Sequence, residues 1–209
     1  MKREVAADIR ANFNAANRHD AETMLAQAAA KVMQQVDAEL LIVGDGCQRK
    51  ALIRQSEELG IADRCHFTGY VSPDGDLPAI YRLADVFVTA SVIETFGIVI
   101  LEAMAAACPV VAMKATSIPD LVDNNRSGFL LPPQNVDGLA EKITWLLRNP
   151  KEARKMGQEG QKISQQYDHE TMLSKHLQLY QSIQQSHYSG RTLIGNQDSH
   201  ARVQINDSR

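Results

Sequence analysis

Residues 85–113 read DVFVTASVIETFGIVILEAMAAACPVVAM, and this stretch decides the fold. A short β-branched and aromatic run opens it, a loop carrying Glu94 follows, strong helix formers extend from Gly97, and a second apolar run follows Pro109. An extended run, a helix and another extended run spell a strand–helix–strand unit, and two strands joined that way lie parallel.

The same alternation continues on either side. ELLIVG (39–44), RCHFTG (64–69), DVFVTA (85–90), CPVVAM (108–113) and GFLL (128–131) read as strands. Between the first two, QRKALIRQSEELG places Leu52, Ile53 and Leu59 near helical spacing and ends on Gly60, a glycine C-cap. Strands alternating with helices through short loops predict a doubly wound α/β domain, its parallel sheet covered on both faces. After Pro132 and Pro133 the pattern turns helical, with Leu139, Ile143 and Leu146 on one face and a stop at Asn149-Pro150. Trp145 reads as packing, with ligand stacking as the alternative. Segment 151–165 is charged and is expected on the surface, while Met172, Leu173, Leu177, Tyr180 and Ile183 form an apolar stripe that needs a partner. The first strand position is weak: VAADIRANFN lacks the apolar character of a central strand, so residues 1–20 are expected to be irregular, 21–186 to form the domain, and 187–209 to be a flexible polar tail.

Composition narrows the function. With 209 residues, 44% of them hydrophobic, the chain can bury a core, yet no apolar run reaches the roughly 20 residues of a membrane span. The polar start MKREVAADIR is not a signal peptide, which makes a cytoplasmic location the expectation. A net charge of −3 and the lack of a Lys/Arg cluster argue against a nucleic-acid partner. Cys47, Cys65 and Cys108 lack metal or disulfide spacing and read as reduced thiols, and the histidines, His19, His66 and His169 among them, read as surface or core residues. No metal site is expected.

In an open parallel sheet, ligands bind beyond the carboxyl ends of the strands. Gly44 and Gly46 follow the first of those strands and read either as a tight turn or as a loop left open for a nucleotide. They match neither the dinucleotide fingerprint nor the P-loop. Glu94 falls in a strand-exit loop and Glu102 within the helix that follows, so the two approach one ligand from different sides. A carboxylate accepts hydrogen bonds from paired hydroxyls, which a ribose or hexose offers. The helix start at Phe96, Gly97 and Ile98 presents unpaired N–H groups suited to a diphosphate. The alternative is that both glutamates are simply solvated. Glu102, however, stands among Ile98, Val99, Ile100, Leu101, Ala103 and Met104, where an unpaired carboxylate is costly.

From Ser91 onward, the run S-x-x-E-T-F-G-I-V-I-L-E-A-M-A-A-A-C-P-V-V-A resembles the E-x7-E signature of retaining glycosyltransferases with the GT-B fold, of the large family 4 group. AELLIVGDG, LGIADRCHFTGYV, YRLADVFVTAS, IPDLVDNNRSGFLLPP and YDHETMLSKHLQLY agree in order, so the resemblance covers about residues 21–186, the C-terminal, nucleotide-sugar-binding half of such enzymes. It implies that Glu94 meets the donor sugar near its anomeric carbon and Glu102 the ribose hydroxyls. It also implies that Thr95, Phe96, Gly97 and Ile98 hold sugar and phosphates, and that the loop at Tyr70 and Val71, with Gly44 and Gly46, contributes to donor binding. On that division of roles, Glu94→Ala spares free nucleotide, whereas Glu102→Ala weakens it by about 1 to 3 kcal/mol.

The implied donor is a nucleotide-sugar, UDP- or GDP-linked in preference to ADP-linked, used without a metal or other cofactor. The implied acceptor is a saccharide or a lipid-linked saccharide, which would bring peripheral association with the inner membrane face. The sequence departs from the family in three places. The Arg and Lys that clasp the diphosphate fall near Asn14 and His19, with Arg18 the nearby cation; Ala107 stands where glycine is usual; and Thr116-Ser117 replace Gly-Gly, where their hydroxyls could meet a phosphate. The N-terminal acceptor half has no counterpart in the chain. Two readings follow: a donor-binding half that transfers sugar only with an N-terminal domain or subunit, in cis or trans, or a non-catalytic nucleotide-sugar-binding or interaction module.

Overall fold

The computed structural model describes residues 3–8, 15–46 and 48–194. In chain order the regular elements are β1 (Arg3–Asp8), α1 (Ala15–Met33), β2 (Ala38–Val43), α2 (Arg49–Glu58), β3 (Cys65–Gly69), α3 (Leu77–Leu83), β4 (Val86–Thr89), α4 (Ile98–Ala105), β5 (Val110–Met113), α5 (Ile118–Leu121), β6 (Gly128–Leu131), α6 (Val136–Arg148), α7 (Pro150–Ser164) and α8 (His169–Ile194). The chain divides into two compact units, one ending at Tyr167 and one beginning at Asp168.

The first unit is a six-stranded sheet of order β3-β2-β1-β4-β5-β6, parallel throughout. Successive strand residues point to opposite faces, so each buried strand feeds two cores. Val86, Val88, Val111 and Met113 join the core beneath α1, α2 and α6. Phe87, Val110 and Ala112 join the other, beneath α3, α4 and α5, with Ile100, Met104 and Ile118. This is the doubly wound architecture that the alternation of apolar runs predicts.

Three expectations need correction. Residues 3–8 are a strand at the middle of the sheet, paired to β2 on one side and β4 on the other. Its first residues are polar because they stand at the end of the sheet where the strands begin, and Asp85 answers them: Arg3 Nη1 lies 3.0 Å from Asp85 Oδ1, and the Glu4 N–H donates to Oδ2 at 2.9 Å. Val5 and Ala6 are buried.

Segment 151–165 is not merely surface. Most of it is α7, which buries Ala153, Met156, Gly157, Gly160 and Ser164 and packs on α4. A Cβ on Gly157 would come within 1.9 Å of the Ala107 carbonyl oxygen, so a glycine, which carries no apolar signal, makes the close approach beside Met156. Ala107 itself has φ +56°, a left-handed conformation that explains why glycine is usual there.

The polar tail is helical as far as Ile194, since α8 is 26 residues long. Extending a formed helix fixes one residue per added hydrogen bond, so the backbone continues as helix past the apolar stripe. Residues 195–209 lie outside the described ones, as do 9–14 and Cys47. Within α8, Leu173, Leu177, Tyr180 and Ile183 are exposed.

Candidate donor site

The strand order reverses direction between β1 and β4. Loops leaving the carboxyl ends of two such strands diverge to opposite sides, and the crevice between them is where open α/β sheets take ligands. Because every pairing is parallel, the exits of β1, β2 and β4 share one edge of the sheet. The β4 exit, residues 90–97, therefore lies at the switch point and brings Glu94 with it.

That loop is tied down locally. Ser91 Oγ donates to the Ile93 carbonyl at 2.9 Å. The loop after β5 holds Glu94 by its own peptide groups: the Glu94 N–H donates to Thr116 Oγ1 at 3.0 Å, and Ser117 Oγ donates to the Glu94 carbonyl at 2.9 Å. The two hydroxyls that stand for Gly-Gly thus brace the backbone of Glu94 rather than being held out for a phosphate. Thr116 takes φ +45°, a conformation in which glycine is less strained.

The Glu94 carboxylate does not project into open space. Its Oε1 accepts from the N–H groups of Thr95 at 3.2 Å and Gly97 at 3.1 Å. Gly97 stands at φ +65°, a conformation that favours glycine, and a Cβ there would lie 2.4 Å from Leu121 Cδ1, so the leucine tip would have to move. The start of α4, which the sequence marks as a diphosphate seat, is here capped in part by the protein's own carboxylate. The side chains of Phe96 and Ile98 beside it are exposed.

Glu102 lies farther along α4 and turns toward α3, where Tyr81 Oη donates to Oε2 at 2.9 Å. Tyr81 is 3% exposed, and its ring meets Phe87 edge-on with centroids 5.6 Å apart. A cavity of about 230 Å³ borders both side chains, walled by Pro73, Leu77, Pro78 and Arg82; Glu94 is not among its lining residues. The two glutamates therefore flank α4 from different sides, as their spacing implies, and the walls of this cavity reach only one of them.

Of the other expected positions, Gly44 is drawn into the sheet: φ is +117°, and its N–H donates to the carbonyl of Gly69, the last residue of β3, at 3.0 Å. The Gly46 carbonyl accepts from the Arg49 N–H at the start of α2. Val71, in the loop after β3, packs against the second core, while Tyr70 is exposed. Asn14 lies outside the described residues, and Arg18 and His19 fall in α1 with side chains outside the described ones. Burial pushes the Cys108 thiol up to about 12 and the Cys65 thiol to about 11, so neither is a nucleophile near neutral pH. Among the described residues no cluster of three or more His, Cys, Asp or Glu could hold a metal, and no helix is long and apolar enough to cross a membrane.

Trp145 packs edge-on against Phe129 at 5.5 Å, beside a crevice of about 570 Å³ between α6, α7 and the start of β6, at the edge where the strands begin. Tyr81 opens the stretch YRLADVFVTAS, yet sequence reasoning gave it no role; the sign available was a phenol in a short, largely apolar helix, which is weak without the contact to Glu102.

A sheet of this order, with a carboxylate loop at its switch point and a second carboxylate on the helix that follows, has the Rossmann-like architecture of GT-B glycosyltransferases. Residues 15–163 match the family model described as glycosyl transferases group 1, and the chain belongs to that family. It is 34% identical over 160 residues to the GDP-mannose-dependent alpha-(1-6)-phosphatidylinositol monomannoside mannosyltransferase of Mycobacterium tuberculosis, a match covering 72% of this chain and 41% of that one. Among solved structures it is similar to Anabaena HepE in complex with UDP and glucose (25% identity, TM-score 0.73, 86% of this chain and 48% of that one). It is also similar to the C-terminal domain of the group 1 glycosyl transferase LpcC from Francisella tularensis (25% identity, TM-score 0.69, 80% of this chain and 87% of that one). The chain spans about two fifths of the length of the curated relatives it matches.

Proposed function

We propose that this chain is the donor-binding half of a retaining glycosyltransferase of family 4, taking a nucleotide-sugar at the carboxyl edge where β1 and β4 part. The observation that carries the reading is the placement of Glu94 in the β4 exit at the switch point, against the N-terminus of α4, with Glu102 farther along the same helix. Retaining transfer develops positive charge on the sugar and negative charge on the departing diphosphate. Glu94 suits the first. The N–H groups from Thr95 to Ile98 suit the second once the Glu94 carboxylate gives way, and no metal is needed if they do. Glu102 suits ribose hydroxyls, Val71 and its loop the base, and Gly44 and Gly46 shape the adjoining exit of β2.

UDP and GDP donors are favoured over ADP donors, in keeping with HepE solved with UDP and the GDP-mannose-dependent relative. The acceptor is a saccharide or lipid-linked saccharide, brought by an N-terminal domain or subunit, and a lipid acceptor would place the assembled enzyme at the inner membrane face. In support, the chain covers 87% of an isolated C-terminal domain of a family member but only about two fifths of the full-length relatives.

Calorimetric titration with UDP-, GDP- and ADP-sugars tests the reading. Binding of a UDP- or GDP-sugar that is lost in Glu102→Ala supports it, and failure of all three to bind refutes it. Donor binding without transfer when the matching N-terminal half is supplied would leave the non-catalytic module as the function.

A further inference from the structure

We propose that Tyr81 is a positioning residue of the donor site, fixing the plane of the Glu102 carboxylate so that it can receive the two ribose hydroxyls. The proposal rests on the reading of Glu102 just given. The terminal torsion of a glutamate is broad and roughly two-fold, so α4 alone sets where the carboxylate is but not how it is turned. Tyr81 supplies what that torsion lacks. Its ring is 3% exposed and held edge-on against Phe87, itself fully buried in β4, so the phenol oxygen is fixed by the sheet. From there it donates to Glu102 Oε2 at 2.9 Å, a charge-assisted bond between two rigid elements, α3 and α4.

The surroundings favour this role over simple packing. The cavity beside the pair is walled by Pro73, Leu77, Pro78, Arg82, Ala105 and Ala106, and the buried ring of Tyr81 holds its hydroxyl in place more firmly than the exposed side chain of Arg82 can hold a guanidinium. A vicinal diol is bound well only when the carboxylate plane matches its two O–H vectors. Misalignment by a fraction of the torsional well loses one of the two hydrogen bonds while leaving the charge in place. The predicted signature is thus a loss of discrimination between nucleotides that have the diol and nucleotides that lack it, with little change in affinity for the rest of the ligand.

The experiment compares the wild-type chain with Tyr81→Phe, Glu102→Gln and the double variant, titrated by calorimetry with UDP and GDP and with their 2′,3′-dideoxy counterparts. Phenylalanine keeps the ring against Phe87, and thermal melting confirms that each variant is folded. Tyr81→Phe is expected to weaken binding of the ribonucleotide by about tenfold, the scale of one lost hydrogen bond to a charged group, and to leave the dideoxy ligand unchanged. The double variant should be no worse than Glu102→Gln alone. If Glu102→Gln removes the ribose preference and Tyr81→Phe does not, Glu102 keeps its role and the positioning role of Tyr81 is overturned. Equal loss for both ligands in Tyr81→Phe also overturns it, as damage to the fold. If Glu102→Gln leaves the ribose preference intact, the reading of Glu102 falls first and this proposal with it.

Discussion

Removing the charge of Glu94 should make the site bind diphosphate more tightly. Its Oε1 holds the N–H groups of Thr95 and Gly97 at 3.2 and 3.1 Å, the donors that the proposed function assigns to the departing diphosphate. Bonds of that length lie at the long end of the range, each worth about 0.5 to 1.5 kcal/mol, and proximity to the helix end adds about 0.3 to 1 kcal/mol. A diphosphate has to displace this arrangement before it can use the same donors. Deleting the competitor should therefore return about 1 to 2 kcal/mol to the ligand, roughly five- to thirtyfold in Kd. The assay is calorimetric titration of wild type, Glu94→Gln and Glu94→Ala with UDP, GDP and inorganic pyrophosphate. Alanine should gain at least as much as glutamine, whose amide oxygen can still accept from the same two N–H groups. This departs from the division of roles implied by the resemblance, in which Glu94 is indifferent to free nucleotide. Unchanged or weaker binding of all three ligands in both variants would refute the reasoning.

Ala107→Gly should stabilise the fold by about 0.5 to 1 kcal/mol in urea unfolding, since relief of the left-handed conformation at φ +56° outweighs the extra freedom glycine gives the unfolded chain. Gly157→Ala should destabilise it by about 3 kcal/mol in the same assay, because the new methyl would sit 1.9 Å from a backbone oxygen that cannot swing aside. Cys65 and Cys108, with thiols pushed up to about 11 and 12 by burial, should resist a maleimide at pH 8 in the native chain and react once it is denatured, as peptide mapping would show. Raising the pH of the native protein to 9 should leave Cys108 unreacted, since its thiolate remains a minor species until the pH approaches 12.

The parts of the molecule that follow from side-chain size and period were legible in the sequence. Strands such as 86–89 and 110–113 announce themselves because both faces are buried and β-branched residues fill them. Glu94 and Glu102 stand out because carboxylates in an apolar stretch need a reason. What escaped was structure made from small or polar groups. The strand β1 hides because its opening residues are satisfied by Asp85, some eighty positions away in sequence. The inner face of α7 hides because glycine and alanine carry no hydrophobic signal, although their smallness is what lets two helices approach. In the site, the missing information was directional: nothing in the sequence tells that Glu94 turns back onto Gly97, or that Glu102 faces a phenol. Sequence spacing places a side chain on a face, and only packing sets its last torsion.

The central strand is also the first of the described strands. Its pairing with β2 spans the length of α1, but its pairing with β4 joins Val5 to Val86 across two other strands and their helices. Contacts that far apart in sequence repay their loop-closure entropy slowly, and the half of the sheet comprising β4, β5 and β6 has β1 as its one link to the other half. During synthesis β1 leaves the ribosome well before β4 exists. Until the two meet, β1 and β4 each leave a row of backbone donors and acceptors without its sheet partner, and a single pairing answers both rows.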